Sequence, residues 1–144
     1  MNAVEGDRSR RALERRTQTL ETLISNLPGV VYRCRLTPEW PMEFVGGECE
    51  ELTGYPASML EAGDVVWGDD VLHPDDRDAM WGAVTQGLSA DNSFEVTYRI
   101  VTRGGTTKRV WERGREVSAP DDEYGYLEGF ITALGQDDPP TDES

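Results

Sequence analysis

The sequence predicts one α+β domain in which a single antiparallel sheet is covered by short helices. Residues 94–117 read as a long β-hairpin, and residues 127–134 form an apolar run typical of a strand at the centre of a sheet. Short helical segments separate these strands from an earlier pair, an order that suits an α+β domain. With 144 residues, the chain has room for one domain with a core, plus tails.

The hairpin over residues 94–117 is the clearest pattern in the chain. Apolar and polar side chains alternate in its first strand, and one face is predicted to carry Phe94, Val96, Tyr98 and Ile100. Gly104-Gly105 suit the positive-φ positions of a tight turn. A two-residue loop places Tyr98 opposite Trp111, and a slip of one residue places Val110 there, so both registers stay open. Because apolar residues fall on both faces, the sheet needs two covers: the chain's own helices, and a terminal helix or a second copy.

Four segments are predicted along the chain. Residues 1–7 carry no pattern and are predicted to be disordered, and residues 137–144 are acidic and contain proline, as in a disordered tail or linker. Residues 8–27 are predicted to form a flanking helix, and residues 28–136 the folded domain. The helix either docks on the domain or also pairs with a partner as a signalling helix. Its apolar residues recur at roughly heptad spacing, at Leu13, Leu20, Ile24 and Leu27.

Inside the folded domain, each element follows from a local pattern. Residues 30–36 alternate and predict a strand, and residues 42–45 predict a return strand after a turn marked by two prolines. Residues 74–77 open the longest internal helix, because the helix dipole favours acidic residues in a first turn. The other predicted segments are short helical turns at 48–52 and 57–61, a loop at 64–72 and a turn at 119–123.

The net charge and composition of the chain limit the classes of partner and the cellular location that we expect for it. A formal net charge of −14 argues against a nucleic-acid surface, since phosphates require the opposite sign. The basic residues are arginines apart from Lys108, and this acid-rich, lysine-poor composition is typical of a cytoplasmic protein from a high-salt organism; an ordinary acidic protein is the alternative. No apolar run reaches membrane-spanning length and no signal peptide is present, so a cytoplasmic protein is expected.

Several short motifs occur in an order that resembles the PAS sensor-domain family. They are residues 51–55 (ELTGY), 72–77 (LHPDDR), 94–100 (FEVTYRI), 110–111 (VW) and Gly129. The subgroup with an H-P-x-D-R helix start and a Y-R-[IL] strand is the most similar. The resemblance implies a five-stranded antiparallel sheet cupped by short helices, with a ligand or cofactor pocket between them. Where the family usually ends in a D-I-T-like triplet that leads to the effector, this chain has Ala133-Leu134-Gly135.

The resemblance implies a sensory module that binds a small molecule or dimerises, and relays the change to an effector such as a histidine kinase or a related regulator. A homodimer is expected through the N-terminal helix, the sheet face, or both. Two alternatives stay open: an adaptor or dimerisation domain without a ligand, and, less favoured, a small enzyme working inside the same cup. The identity of any cofactor also stays open. The side chains expected to line the pocket are Tyr32, Phe44, Met59, Trp67, Met80 and Ile131.

The residues that could carry other chemistry are interpreted as structural. His73 precedes Pro74 at a helix start, where an imidazole hydrogen-bonds the local backbone, whereas a haem ligand would lie within the long helix. Cys34 and Cys49 form no C-x-x-C pair and are expected to be free, buried thiols; neither lies in the cysteine motif of the flavin-binding branch. Acidic pairs such as Asp69-Asp70 are interpreted as solvated loop charge, and neither a metal site nor a catalytic group is predicted.

Arg99 lies between Tyr98 and Ile100 in the first strand of the hairpin. An arginine in this position is expected to pair with an acidic residue across the hairpin, and Glu112 is the expected partner. This ion pair is favoured over a role of Arg99 in ligand recognition.

Overall fold

A computed structural model of the protein describes residues 3–117 and 125–134. It confirms the α+β class, with five antiparallel strands in one sheet, short helices and an N-terminal helix. In chain order the elements are α1 (Ala3–Ser25), β1 (Val30–Arg35), β2 (Met42–Gly47), α2 (Cys49–Thr53), α3 (Ala57–Ala62), a π-helical turn (Trp67–Val71), a 3₁₀ turn (Pro74–Asp76), α4 (Arg77–Asp91), β3 (Ser93–Val101), β4 (Thr107–Val117) and β5 (Tyr126–Ala133).

The strands lie in the order β2-β1-β5-β4-β3, and each neighbouring pair is antiparallel. The last strand in the sequence therefore occupies the middle of the sheet, as its apolar run predicts. Leu127 and Ile131 of β5 are fully buried. A strand with neighbours on both sides can carry apolar residues along most of its length because little of it meets water.

The core lies between one face of the sheet and the short helices. Leu60, Trp67 and Val84 come from the helical side and are buried in the same cluster as Val30 and Ile131 of the sheet. α3 packs against β2, and α4 packs against β3. Burial of this apolar surface is the main driving force for closing the helices over the sheet.

α1 is longer at its start than the sequence indicated. It begins at Ala3 rather than at residue 8, so residues 3–7, which were predicted to be disordered, continue the helix instead. The C-terminal end of α1 contacts β2, where Ile24 Cγ2 would lie 2.9 Å from a Cβ atom added at Gly46. Leu13 and Leu20 remain 63% and 57% exposed. Nothing in the described part of the chain covers this face of α1, and a helix with an exposed leucine stripe has marginal stability by itself in water.

Of the two registers that the sequence left open for the β3–β4 hairpin, the structure has the one shifted by one residue. Thr102 N–H donates to the Thr106 carbonyl over 2.8 Å, which leaves a loop of three residues that ends at Gly105 with φ of 92°. A glycine in the left-handed region is the usual closing residue of a three-residue hairpin loop. Tyr98 consequently pairs with Val110 rather than with Trp111.

The expected ion pair between Arg99 and Glu112 is wrong. The register of the hairpin places Glu112 on the buried face with Tyr98, whereas Arg99 alternates to the other face. Arg99 instead binds Asp76 of the 3₁₀ turn, with Nη2 2.7 Å from Oδ1 and Nε 3.0 Å from Oδ2. Asp76 Oδ2 also accepts the backbone N–H of Arg99, so one carboxylate attaches the start of α4 to the edge strand of the sheet.

Some predicted segments lie outside the described residues. These are the turn at 119–123, the tail at 137–144 and the last residues of the 28–136 domain, whose bounds stay a prediction. Among the described helices, none combines the length and the apolar composition that a membrane crossing requires.

We expect Asp76→Asn to lower the melting temperature by a few degrees, because the amide cannot accept both guanidinium hydrogen bonds and the backbone N–H. Hydrogen bonding to Arg99 lowers the pKa of Asp76 below its ordinary value of 3.8. The stabilisation is therefore fully present above that value and is lost as the pH falls through the lowered pKa. Melting curves recorded between neutral and strongly acidic pH should show the wild type and the variant converging on acidification.

The matched control for Asp76→Asn is Asp75→Asn, which removes the same charge from the neighbouring, exposed carboxylate. The control should melt within about one degree of the wild type at neutral pH. Equal melting temperatures for the two variants would show that the Asp76–Arg99 contact contributes nothing specific.

Candidate functional site

A carboxyl group lies at the centre of the core. Glu112 of β4 has no solvent-exposed surface. Its two oxygens accept hydrogen bonds from two tyrosines: Tyr98 Oη of β3 donates to Oε1 over 2.6 Å, and Tyr32 Oη of β1 donates to Oε2. A buried charged group is costly unless it is hydrogen-bonded, and these two bonds join three strands of one sheet through a single side chain.

Two tryptophans extend this cluster toward the covering loops. Trp67 Nε1 in the π-helical turn donates to Tyr98 Oη over 3.1 Å. Trp40 lies in the loop between β1 and β2 and is 1% exposed. Its Nε1 is buried and has no hydrogen-bond partner among the described residues. Trp40 nevertheless lies close enough to the Glu112 carboxyl to lower its pKa. We call Glu112, Tyr32, Tyr98, Trp40 and Trp67 the core polar cluster.

The backbone that holds the two indoles is unusual. Trp40 has φ of 57°, in the left-handed region that a bulky residue rarely adopts. The Gly68 N–H of the π-helical turn donates to the Glu39 carbonyl over 2.8 Å, and a Cβ atom at Gly68 would lie 2.5 Å from the Pro38 carbonyl oxygen. The β1–β2 loop and the π-helical turn are therefore locked together, and π-helical turns recur at functional sites.

Two glycines make room for the hydroxyl of Tyr32. Gly114 of β4 and Gly129 of β5 pair directly across the sheet. A Cβ atom at Gly129 would lie 2.7 Å from Tyr32 Oη, and one at Gly114 would lie 2.9 Å from the same oxygen. Since real Cβ atoms do not approach so closely, the paired glycines allow Tyr32 to reach Glu112.

Burial dominates the electrostatics of the core polar cluster. Desolvation raises the pKa of Glu112 to about 7, against the opposing effect of the hydrogen bonds from Tyr32 and Tyr98 and of the nearby Trp40 indole N–H. Burial, and then the nearby Glu112, raise the pKa of each tyrosine well above 10. Within the described residues, no arginine or lysine forms an ion pair with Glu112. Hydrogen bonds, rather than a neutralising cation among the described residues, therefore stabilise the buried carboxyl.

The six side chains expected to line a pocket do not all lie together. Tyr32, Trp67, Met80 and Ile131 are buried in the core, and Tyr32 and Trp67 belong to the core polar cluster. Met59 is half-buried, with its sulfur 4.0 Å from Arg103 Nη1 at the rim. A role for these five in binding a ligand stays a prediction.

Phe44 does not face the core. A β-bulge between Arg33 and Cys34 inserts one extra residue in β2, so Met42 and Val45 face inward and Phe44 faces outward. Phe44 is 44% exposed and lies beside the end of α1, next to Gly46. The alternation that suggested an inward Phe44 fails at the bulge.

The other residues singled out in the sequence occupy structural positions. His73 Nδ1 accepts the Asp75 N–H over 3.1 Å, which confirms the expected hydrogen bond to the local backbone. Cys34 and Cys49 are free, buried thiols, as expected. Among the described residues, no group of three or more His, Cys, Asp and Glu side chains could hold a metal ion.

Glu112 is the functional candidate that the sequence interpretation missed. In the shifted register, Glu112 alternates with Val110 and falls on the face of Tyr98 and Val96. A carboxylate in the inward phase of an otherwise half-buried strand is an informative exception, because charged residues are seldom fully buried. The alternation could have revealed the site once the length of the hairpin loop was known.

The chain matches known proteins over most of its folded part. A family profile described as the PAS fold matches residues 42–131. The methyl sulfide methyltransferase-associated sensor of Methanosarcina acetivorans is 30% identical over 95 residues, which cover 65% of this chain. The chain spans 9% of the length of that curated relative.

Solved structures share the fold at low sequence identity. The PAS domain of an HTR-like protein from Haloarcula marismortui superposes with a TM-score of 0.66 and 16% identity, covering 89% of this chain and 99% of that chain. A PAS domain from a two-component sensor histidine kinase gives a TM-score of 0.64 and 15% identity, covering 84% of this chain and 98% of that chain. At these identities the likeness concerns the fold.

We expect Gly129→Ala to lower the free energy of unfolding by about 2 kcal/mol, because the added methyl group overlaps Tyr32 Oη and the Arg113 carbonyl oxygen. Urea denaturation measures the change. Gly104→Ala is the matched control, since a Cβ atom at that position in the hairpin loop meets nothing within 4 Å. The control should stay within about 0.5 kcal/mol of the wild type. If both substitutions have the same small effect, the glycine pair does not provide the space for Tyr32.

Proposed function

The chain belongs to the PAS fold family, and on that premise we propose that it is a sensory module which passes a change in its core to an effector such as a histidine kinase or a related regulator. The core polar cluster is the observation that carries this proposal. Glu112 is hydrogen-bonded to Tyr32 of β1 and Tyr98 of β3, and Trp67 joins the covering turn to the same cluster. A change at one buried group would therefore reach three strands and a loop at once.

A small molecule is one stimulus that this core could receive. The half-buried and buried side chains predicted to line a pocket supply apolar contacts, and the core polar cluster supplies hydrogen-bonding groups, a combination typical of small-molecule sites. The cytoplasm is the proposed location. The high-salt origin inferred from the composition stays a prediction, which the dependence of the melting temperature on KCl concentration would check.

The output of the module is proposed to pass through a homodimer built on α1. Leu13 and Leu20 of α1 lie seven residues apart and are exposed, and α1 touches the rest of its own chain at β2. A second copy of the chain supplies the matching leucine stripe. It also supplies a strongly acidic domain surface for the arginines in the first half of α1, in a chain whose formal net charge is −14.

We expect Leu20→Glu to weaken self-association about tenfold or more, because it places a charge within the leucine stripe. Sedimentation velocity over a concentration series measures the association. Gln18→Glu is the matched control, since it adds the same charge to another face of α1 and should leave association unchanged. A wild type that stays monomeric at every concentration, or two variants that sediment alike, would remove the proposed dimer.

We expect a ligand of the core to raise the melting temperature through mass action, by an amount that grows with the ligand concentration. A thermal-shift screen of metabolites and coloured cofactors tests this, and the absorbance spectrum of the purified protein reports any bound haem or flavin. A genuine core ligand should lose its effect in Tyr98→Phe. The absence of any shift across the screen would favour the adaptor reading, in which the domain only dimerises.

A further inference from the structure

We infer that the Glu112 carboxyl is a reversible proton-binding site, and that the proton it takes up rearranges the hydrogen bonds joining β1, β3 and the β1–β2 loop. The inference deepens the proposed function and rests on it for the consequence in signalling, because it makes the proton itself a signal that the core receives. Proton uptake by Glu112 can still be measured on the purified protein, without reference to any effector.

The groups around the carboxyl suit its ionised form. Tyr32 and Tyr98 each donate a hydroxyl hydrogen to it, and the third neighbour, the indole N–H of Trp40, can only donate. An ionised carboxylate accepts all such donors. A protonated carboxyl carries a hydrogen of its own and needs an acceptor among the same three neighbours.

Tyr32 is the neighbour that can become this acceptor. The Tyr98 oxygen already accepts from Trp67, whereas the hydrogen bond of Tyr32 Oη is the one it donates to Glu112. When one proton from solvent binds the Glu112 carboxylate, the resulting carboxyl O–H can donate a hydrogen bond to Tyr32 Oη. The hydroxyl hydrogen of Tyr32 must then rotate away from Glu112. The step adds one proton, neutralises one negative charge and reverses one hydrogen bond between β4 and β1.

Trp40 links this reversal to the loop. Its indole N–H has no partner other than the nearby charge of Glu112, and its backbone is held at φ of 57°. A left-handed conformation of a bulky residue stores strain that the surrounding contacts must offset. Loss of the negative charge removes the attraction on the indole, so the loop between β1 and β2 is expected to relax.

The titratable groups that face Glu112 do not compete for this proton. They are Tyr32 and Cys34 from β1 and Tyr98 from β3, and burial raises the pKa of each above its ordinary value. All three are therefore neutral across the range in which Glu112 exchanges its proton. The other neighbours are apolar or donor-only: Trp40 and Trp67 from the covering turns, and the cross-strand partners Val96 and Ile131.

The direct test is a pH titration of the glutamate carboxyl carbons by nuclear magnetic resonance on the full chain. One glutamate should titrate near pH 7, its signal should vanish in Glu112→Gln, and it should persist in the exposed control Glu50→Gln. A Glu112 signal that titrates in the ordinary glutamate range near 4.5, or that never titrates, would overturn the inference.

Further variants test the rearrangement even if Glu112→Gln fails to fold. Tyr98→Phe removes a donor to the ionised form but keeps Tyr32 as the acceptor for the protonated form, so it should raise the midpoint of the Glu112 titration by about one pH unit. Tyr32→Phe removes a donor from the ionised form and the acceptor from the protonated form, so its midpoint should rise by less. Tyr55→Phe, a half-buried tyrosine outside the core polar cluster, should leave the midpoint unchanged. Equal shifts in Tyr98→Phe and Tyr32→Phe would contradict the rearrangement.

The indole fluorescence of the wild type should change with the same midpoint as the Glu112 titration. Trp40→Phe should reduce that change, and Trp111→Phe should preserve it. A fluorescence change as large in Trp40→Phe as in the wild type would contradict the proposed link to the β1–β2 loop.

Stability supplies an independent check with a defined sign. Because the folded state holds the Glu112 proton to a higher pH than the unfolded state, the stabilising contribution of that proton is fully present below about pH 4.5 and is lost as the pH rises through about 7. The melting temperature of the wild type should therefore fall over this range relative to Glu112→Gln. The opposite slope would contradict the inference.

The inference and the proposed function can fail separately. If Glu112 titrates near pH 7 but the protein neither dimerises nor binds a ligand, the proton-binding site is supported and the proposed function is wrong.

Discussion

The carboxyl of Glu112 is the constraint on which the rest of the core depends. A carboxyl group removed from water loses a large hydration free energy, and no cation in the described residues replaces it. The protein offsets this cost with hydrogen bonds from Tyr32 and Tyr98 and holds the pKa of the group near neutrality. Each donor comes from a different strand, so β1, β3 and β4 must keep their relative positions for the carboxyl to stay satisfied.

Small backbone features place the donors. The three-residue loop ending at Gly105 sets the register that turns Glu112 inward. The facing glycines Gly114 and Gly129 leave the space that the Tyr32 hydroxyl occupies. The contact of Gly68 with the β1–β2 loop joins the turn that carries Trp67 to the loop that carries Trp40.

Patterns of period two were enough to predict most of the sheet, and local geometry decided what they left open. The alternation of residues 94–100 and the apolar run at 127–134 both predicted the observed strands, since each depends on which side chains meet water. A single inserted residue defeated the same reasoning for Phe44, because a bulge reverses the facing of every residue on one side of it. The prediction that Glu112 pairs with Arg99 was wrong for a related reason. The length of the hairpin loop sets the register of the strands, and the two adjacent glycines do not determine that length. The core polar cluster joins residues far apart in the sequence, and only the folded sheet brings them together.

The two faces of the sheet are connected through β1. Tyr32 points into the core polar cluster, while its neighbours Val31 and Arg33 lie on the opposite face, where Val31 pairs with Gly46 of β2. Gly46 is also the point at which Ile24 of α1 rests on the sheet. A hydrogen bond that reverses at Tyr32 therefore acts on a strand whose other face borders the contact with α1. Since packed elements move between discrete arrangements rather than deforming continuously, these contacts connect the buried carboxyl to α1, the helix proposed to form the dimer.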